Sequence, residues 1–264
     1  MLKDKLTLLI HTCDKFSDLW EVHVMLLNSN WADRNINTLL VTDKDTTKSY
    51  EGIKVISAGE GKELPVRAAA ALQHIKTEYV LVTLDDYFLT KKIKTKKIGN
   101  LIDVMEKENL DYMSLFNDPN SFDRMRGYKS IYNVKLNGNY KVNLYPGIWR
   151  KSFIEKTIKD SMNAWQYEVS LTRIAREIGA KCALSKGKEF EILDVVRKGE
   201  ILHKANRYLK KHNLYNGPRK VIKYRDEFKI FVFSTGKKIL PQGIANYIKR
   251  RLINRGVRFY SDID

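Results

Sequence analysis

Four short apolar runs, KLTLLIHT (5–12), INTLLVTD (36–43), GIKVISA (52–58) and YVLVTL (79–84), are separated by segments of helical period. Runs of this length and β-branched content read as buried strands. Their alternation with helices implies a mainly parallel α/β sheet with right-handed crossovers. Between the first two runs, SDLWEVHVMLLNSNW predicts a helix capped by Ser17 or Asp18. GEGKELPVRAAAALQHIKTE predicts a glycine loop and an alanine-rich helix that tolerates Pro65 in its first turn. After a further helix in TKKIKTKKIGNLIDVMEKEN, DYMSLFND (111–118) returns as the fifth strand. The period-two pattern around NGN in YKSIYNVKLNGNYKVNLYPGIW predicts a β-hairpin. KSFIEKTIKD and AWQYEVSLTRIAREIGAK then read as helices, the second stopped by Gly179. Past Gly187 the pattern becomes short strands and basic helices. A boundary near residue 205 is expected, with one domain over 1–205 and a basic, partly helical extension over 206–264.

Apolar residues make up 43% of the 264 and charged residues 30%, enough for a large core and against wholesale disorder. Cys13 and Cys182 lie far apart without metal-ligand spacing, which fits a reducing compartment. No apolar run approaches the roughly 20 residues of a membrane helix. MLKDKLTLLIHTCD reads as a first strand rather than a signal peptide, so a cytoplasmic location is expected. The net charge is +17, and His203 to Asp264 holds 16 Lys plus Arg against 4 Asp plus Glu. That asymmetry points to an anionic partner: nucleic acid, an acidic membrane surface or a phosphorylated substrate.

Polar and acidic residues collect where the strands end. Thr12, Cys13 and Asp14 follow the first, Asp43 the second, and Asp85 and Asp86 the fourth. In a parallel sheet these carboxyl ends converge on one crevice. Acids there can hydrogen-bond a ribose or base edge, or hold a divalent cation against a diphosphate. Two adjacent carboxylates at the end of a buried run repel each other, and an unpartnered one is expensive to bury. Each acid alone reads as a loop cap; together they read as a site.

TLLIHTCDKFSDL, NTLLVTD, TEYVLVTLDD and the later YPGIW, in that order, resemble a GT-A nucleotide-sugar glycosyltransferase over roughly residues 5 to 200. The resemblance implies a GT-A (Rossmann-like) sheet flanked by helices. It also implies an activity: transfer of a sugar from a nucleotide-diphosphate donor to a glycan or lipid-linked acceptor in surface polysaccharide synthesis, at the cytoplasmic membrane face. Thr12, Asp14, Asp43, Arg67, Asp85 and Asp86 are then the donor-binding candidates, with the Arg67 guanidinium suited to the diphosphate. The family's Asp-x-Asp is replaced here by adjacent acids followed by Tyr87, which leaves the use of Mg2+ or Mn2+ open; Asp86 and His203 are the candidate ligands. In inverting members the base is an acid at the start of a helix beyond the acceptor-side hairpin. Glu168 in NAWQYEVSL matches that setting, where a helix N-terminus would keep it ionised. Trp165 and Tyr167 are a candidate sugar platform, and Asp118 and Asp123 are runner-up acids.

The stretch LPQGIANYIKRRLINRGVRF (240–259) places Ile244, Ile248 and Leu252 at helical spacing beside Lys249, Arg250, Arg251 and Arg255. Such a helix suits an anionic bilayer, or packs on its own domain. Two other readings compete. A nucleotidyltransferase on a related sheet would open with a glycine-rich loop, which HTCDKFSD lacks. A basic nucleic-acid-binding protein would account for the charge, but no binding motif accompanies it and the strand-end acids would be idle.

Overall fold

A computed structural model describes residues 1–116, 122–159 and 162–230. The chain divides into two compact units, Met1–Leu193 and Asp194–Asp264. Asp118 and the amphipathic stretch 240–259 lie outside the described residues.

The first unit carries β1 (Leu6–His11), α1 (Trp20–Asn30), β2 (Asn37–Thr42), β3 (Lys54–Ser57), α2 (Leu64–Leu72), β4 (Tyr79–Leu84), β5 (Tyr87–Leu89), α3 (Thr95–Lys107) and β6 (Tyr112–Ser114). These are followed by β7 (Ile131–Asn133), β8 (Gly147–Arg150), α4 (Lys151–Thr157), α5 (Ala164–Glu177), β9 (Cys182–Ser185) and β10 (Ile192–Asp194), the last ending at the boundary. An eight-stranded sheet has the order β3-β2-β1-β4-β8-β6-β9-β7. β1 to β4 run parallel, β6 and β9 share their direction, and only β7 and β8 oppose it. The expected mainly parallel α/β sheet is therefore the observed one.

Alternation along β1 sorts its side chains into two cores. Leu6, Leu8 and Ile10 join Trp20, Leu27, Leu40, Leu81, Ile98 and Leu101 on the face covered by α1 and α3. Leu9 joins Leu39, Val41, Val82, Leu72, Phe153 and Leu171 on the face covered by α2, α4 and α5. Both faces of the central strands are thus dry, which is why β1 shows no polar alternation and reads as a continuous apolar run.

Two local expectations are corrected. The hairpin around NGN does not form: residues 134–146 contain no strand, β7 pairs with β9, and β8 lies between β4 and β6. Gly138 does take the left-handed φ of 93° that an Asn-Gly turn uses. The segment after it is nonetheless claimed by a better site, because Gly147, Ile148 and Trp149 are buried on both faces and hydrogen-bonded on both edges. The first helix begins at Trp20 with Leu19 as its cap, not at Ser17 or Asp18. A 3-10 turn over Asp14–Phe16 and its continuation, Leu19 N–H donating to the Phe16 carbonyl at 2.9 Å, occupy those residues. The second predicted stop is as expected: α5 opens on an Asn163/Gln166 capping box and ends before Gly179, whose φ is 66°.

The second unit contains β11 (Val196–Arg197), β12 (Glu200–Ile201), α6 (His203–Lys211) and a helical stretch over 224–230. β11 and β12 form an antiparallel pair. Among the described residues no helix is long and apolar enough to cross a membrane.

Position 147 tests the central placement of β8. A Cβ there would sit 3.0 Å from the Tyr112 ring and 3.2 Å from the Met113 carbonyl oxygen. We expect Gly147→Val to lower unfolding free energy in urea by about 1–3 kcal/mol, the usual range for overpacking a core.

Candidate active site

The site is built by register. His11, the last residue of β1, lies opposite Val41 on β2 and opposite Leu84 on β4. The ladders run one residue further, with Thr12 N–H donating to the Val41 carbonyl at 3.0 Å and Asp85 N–H to the His11 carbonyl at 3.2 Å. Thr12 and Asp85 are thereby brought side by side, and Asp43 and Asp86 follow directly on the two flanking strands.

Asp85 is 5% exposed, and its carboxylate is built into the fold. One oxygen, Oδ2, accepts the Thr12 hydroxyl and, at 3.3 Å, the indole N–H of Trp20. The same indole lies 2.6 Å from Thr12 Oγ1. His23 Nδ1 is 3.0 Å from the Asp85 main-chain oxygen, and since a carbonyl only accepts, Nδ1 carries the proton. Trp20 and His23 are three residues apart, so α1 presents both from one face. Asp86 is half-buried on the turn between β4 and β5.

Across the sheet edge, Asp43 Oδ1 accepts the Asp14 N–H at 2.7 Å and the Thr42 hydroxyl at 3.3 Å. This fixes the 3-10 turn after β1 against the end of β2. The Asp14 carboxylate faces Lys44 at 3.7 Å, and Lys44 also reaches Glu60 at 3.3 Å. Arg67, on α2, is 9% exposed. Its Nη1 donates to the Lys62 carbonyl at 2.6 Å, its Nε has no hydrogen-bond partner, and among the described residues it forms no ion pair. Cys13 locates it electrostatically: burial and the charges of Asp85 and Asp43 push the thiol up, while Arg67 pulls it down. Five of the six predicted donor-site residues (Thr12, Asp43, Arg67, Asp85 and Asp86) therefore gather at the ends of β1, β2 and β4. Asp14, the sixth, faces Lys44.

Glu168 is half-buried, and its Oε1 accepts the Leu144 N–H at 3.2 Å, tying α5 to the segment before β8. It is the fifth residue of α5, one turn past the start, and the capping role belongs to Asn163 and Gln166. The macrodipole argument made for it from sequence therefore does not apply, because that effect fades within the first turn. Trp165 is 53% exposed, while Tyr167 is buried with its hydroxyl on Thr157 at 2.8 Å; only the tryptophan presents a ring to solvent. Asp123 is exposed and lies 3.9 Å from Lys135.

His203 belongs to the second unit, where it opens α6. Its Nδ1 is bonded to Glu227, and the ring stacks on Tyr224 at 3.6 Å. Among the described residues no group of three or more His, Cys, Asp or Glu side chains is placed to hold a metal ion. Asp85 is turned to Thr12 and Trp20, and in the second unit His203 is turned to Glu227.

Two histidines passed over in the sequence border the site. Burial, with the Arg67 charge beside it, lowers His11 from an ordinary 6.5 to about 3. Burial lowers His23 to about 4 against its bond to Asp85. The available signal was the helical spacing of Trp20 and His23 opposite a buried acid.

No family model matches the sequence, and no curated protein does either. Solved structures share its fold. The mannosyltransferase PcManGT from Pyrobaculum calidifontis, in complex with GDP-Man and Mn2+, is 13% identical and superposes with a TM-score of 0.52 over 74% of this chain and 58% of that one. S. aureus TarS is 13% identical, with a TM-score of 0.50 over 70% and 36%. TarS 1–349 in complex with UDP-GlcNAc is 16% identical, with a TM-score of 0.50 over 75% and 60%. The fold is that of the GT-A nucleotide-sugar glycosyltransferases. The chain spans between 36% and 60% of the length of these structures.

The buried histidines give a pH dependence. Below the unfolded value near 6.5 the unfolded chain binds protons that the folded chain refuses until about pH 4 for His23 and about pH 3 for His11. Stability therefore falls as pH drops through that window, by about 1.4 kcal/mol per pH unit for each histidine. Unfolding free energies measured from pH 6 to 5 should show this slope, and His23→Gln should remove about one proton from it.

Proposed function

We propose that this chain is a glycosyltransferase that moves a sugar from a nucleotide-diphosphate donor to a glycan or lipid-linked acceptor. The carrying observation is Arg67: a buried guanidinium with one hydrogen bond to a carbonyl, within electrostatic reach of the strand-end acids. A buried cation with no ion pair among the described residues is costly, and an anionic or oxygen-rich ligand at the sheet edge would offset that cost. The donor nucleotide fits: Asp43 and Thr12 would read its ribose or base edge, and Arg67 would meet its acceptor oxygens. The likeness to structures holding UDP-GlcNAc and GDP-Man supports the same reading.

In the reaction the acceptor hydroxyl attacks the anomeric carbon from the face opposite the leaving nucleoside diphosphate, inverting it. Glu168 is the candidate base that removes the hydroxyl proton. Its bond to the Leu144 N–H would fix the carboxylate against the segment before β8. A divalent cation held by one carboxylate and the donor's phosphates needs no protein cage, and Asp86 is our candidate for that carboxylate; the cation would neutralise charge on the departing diphosphate. The net charge of +17 supports action on anionic or lipid-linked acceptors of surface polysaccharide synthesis, at the cytoplasmic membrane face.

Arg67→Met separates this reading from a structural one. We expect unfolding free energy without nucleotide to stay level or rise, because a buried charge is removed. The thermal shift given by UDP- or GDP-sugars should collapse at the same time. If Arg67→Met leaves the nucleotide-induced thermal shift intact, the donor site is elsewhere. Asp86→Asn should keep the fold and reduce transfer by about 100-fold or more.

Glu168→Gln should spare the nucleotide-induced thermal shift and abolish transfer, as loss of a base acting on the acceptor implies. Unchanged transfer would reduce Glu168 to its anchoring bond with Leu144.

A further inference from the structure

The second unit carries a surface that the transfer chemistry does not use. On the helical stretch 224–230, Tyr224 is 78% exposed and Phe228 is 66% exposed. They are four residues apart and share a face, with Lys223, Arg225 and Lys229 exposed beside them. The acids of this stretch are engaged. Glu227 binds the main-chain N–H and ring of His203, and Asp226 pairs with Lys229 at 3.1 Å. Tyr224 stacks on His203, which sets the aromatic face at the start of α6, whose Lys204, Arg207, Lys210 and Lys211 are also exposed. From His203 to residue 230 there are 9 Lys plus Arg and 2 acids.

Aromatic rings left in water beside an excess of lysine and arginine, with Glu227 held by His203 and Asp226 by Lys229, match a bilayer interface. The rings suit the headgroup–acyl boundary, and the cations suit anionic headgroups. We propose that the 224–230 face, with Tyr224 and Phe228 as its inserting residues, docks the chain on an anionic lipid surface. The proposal deepens the membrane-face part of the functional reading and is independent of the transfer step.

The test is co-sedimentation of the full chain with vesicles of phosphatidylglycerol and phosphatidylcholine, against pure phosphatidylcholine, with UDP- and GDP-sugar thermal shifts measured in parallel. We expect binding to the anionic vesicles only. Tyr224→Ala/Phe228→Ala, which leaves net charge unchanged, should weaken binding at least about tenfold. Lys223→Gln/Arg225→Gln/Lys229→Gln should weaken it roughly fivefold per charge at low salt, less as salt rises. Both variants should keep the wild-type melting temperature and nucleotide response, so failure here stays distinct from failure of the donor site. Wild-type binding by the aromatic double variant overturns the proposal. So does absence of binding by the wild type, or retention of a polynucleotide in place of vesicles.

Discussion

The carboxylate of Asp85 is the constraint around which the first unit is arranged. It sits almost wholly out of water at the end of a central strand, where an ionised group survives only if its oxygens are hydrogen-bonded. Thr12 from the end of β1 and Trp20 from α1 supply donors, and His23 from the same helix face takes the adjacent carbonyl. Three elements are thus fixed to one another by polar contacts with defined directions. The apolar core beneath them, Leu8, Ile10, Trp20 and Leu81 among others, is close-packed but has no such directionality. The ladders on either side of β1 set the strand ends side by side, and this cluster ties them to α1.

The contrast between the two kinds of positive charge in the molecule is a matter of dielectric. The lysines and arginines around α6 and 224–230 keep their hydration, repel one another weakly and are screened within about 10 Å at ordinary salt. Arg67 is single, buried and beyond the reach of such screening, so its field acts on the few groups around it. The same field helps keep His11 neutral and opposes the acids that push Cys13 up. One cation in that setting outweighs many on the surface for the groups within its reach.

What could be read from the chain follows the same physics. The first four strands and the helices between them were legible because burial on both faces leaves an unmistakable apolar run, and because the turn residues mark where it stops. The Asp85–Asp86 pair was legible for the same reason, as charge placed where a buried strand must end. The NGN segment was misread because Asn-Gly records a local turn preference, whereas the partner of β8 is chosen by sheet edges contributed from β4 and β6, far away in sequence. His23 and Trp20 carried a weak signal, a shared helix face, but nothing in the chain says which acid that face will meet. Arg67 was picked out for its chemistry; that it is buried without an ion pair among the described residues depends on how α2 lies across β1 and β2, which no local pattern encodes.

The adjacency of Asp85 and Asp86 has a consequence of its own. With one residue between them, two acids at a strand end project to the same side and can share a ligand. With none between them they are directed apart, and here the first is consumed by Thr12 and Trp20. Hydrogen bonds from Thr12 and Trp20 on the α1 side stabilise the Asp85 carboxylate in its buried position. A donor arriving at the sheet edge would meet a single acid, Asp86, held in place by a neighbour that cannot follow it. Under the proposed function, positive charge for a leaving diphosphate would come from a cation at Asp86 and from the buried Arg67 guanidinium.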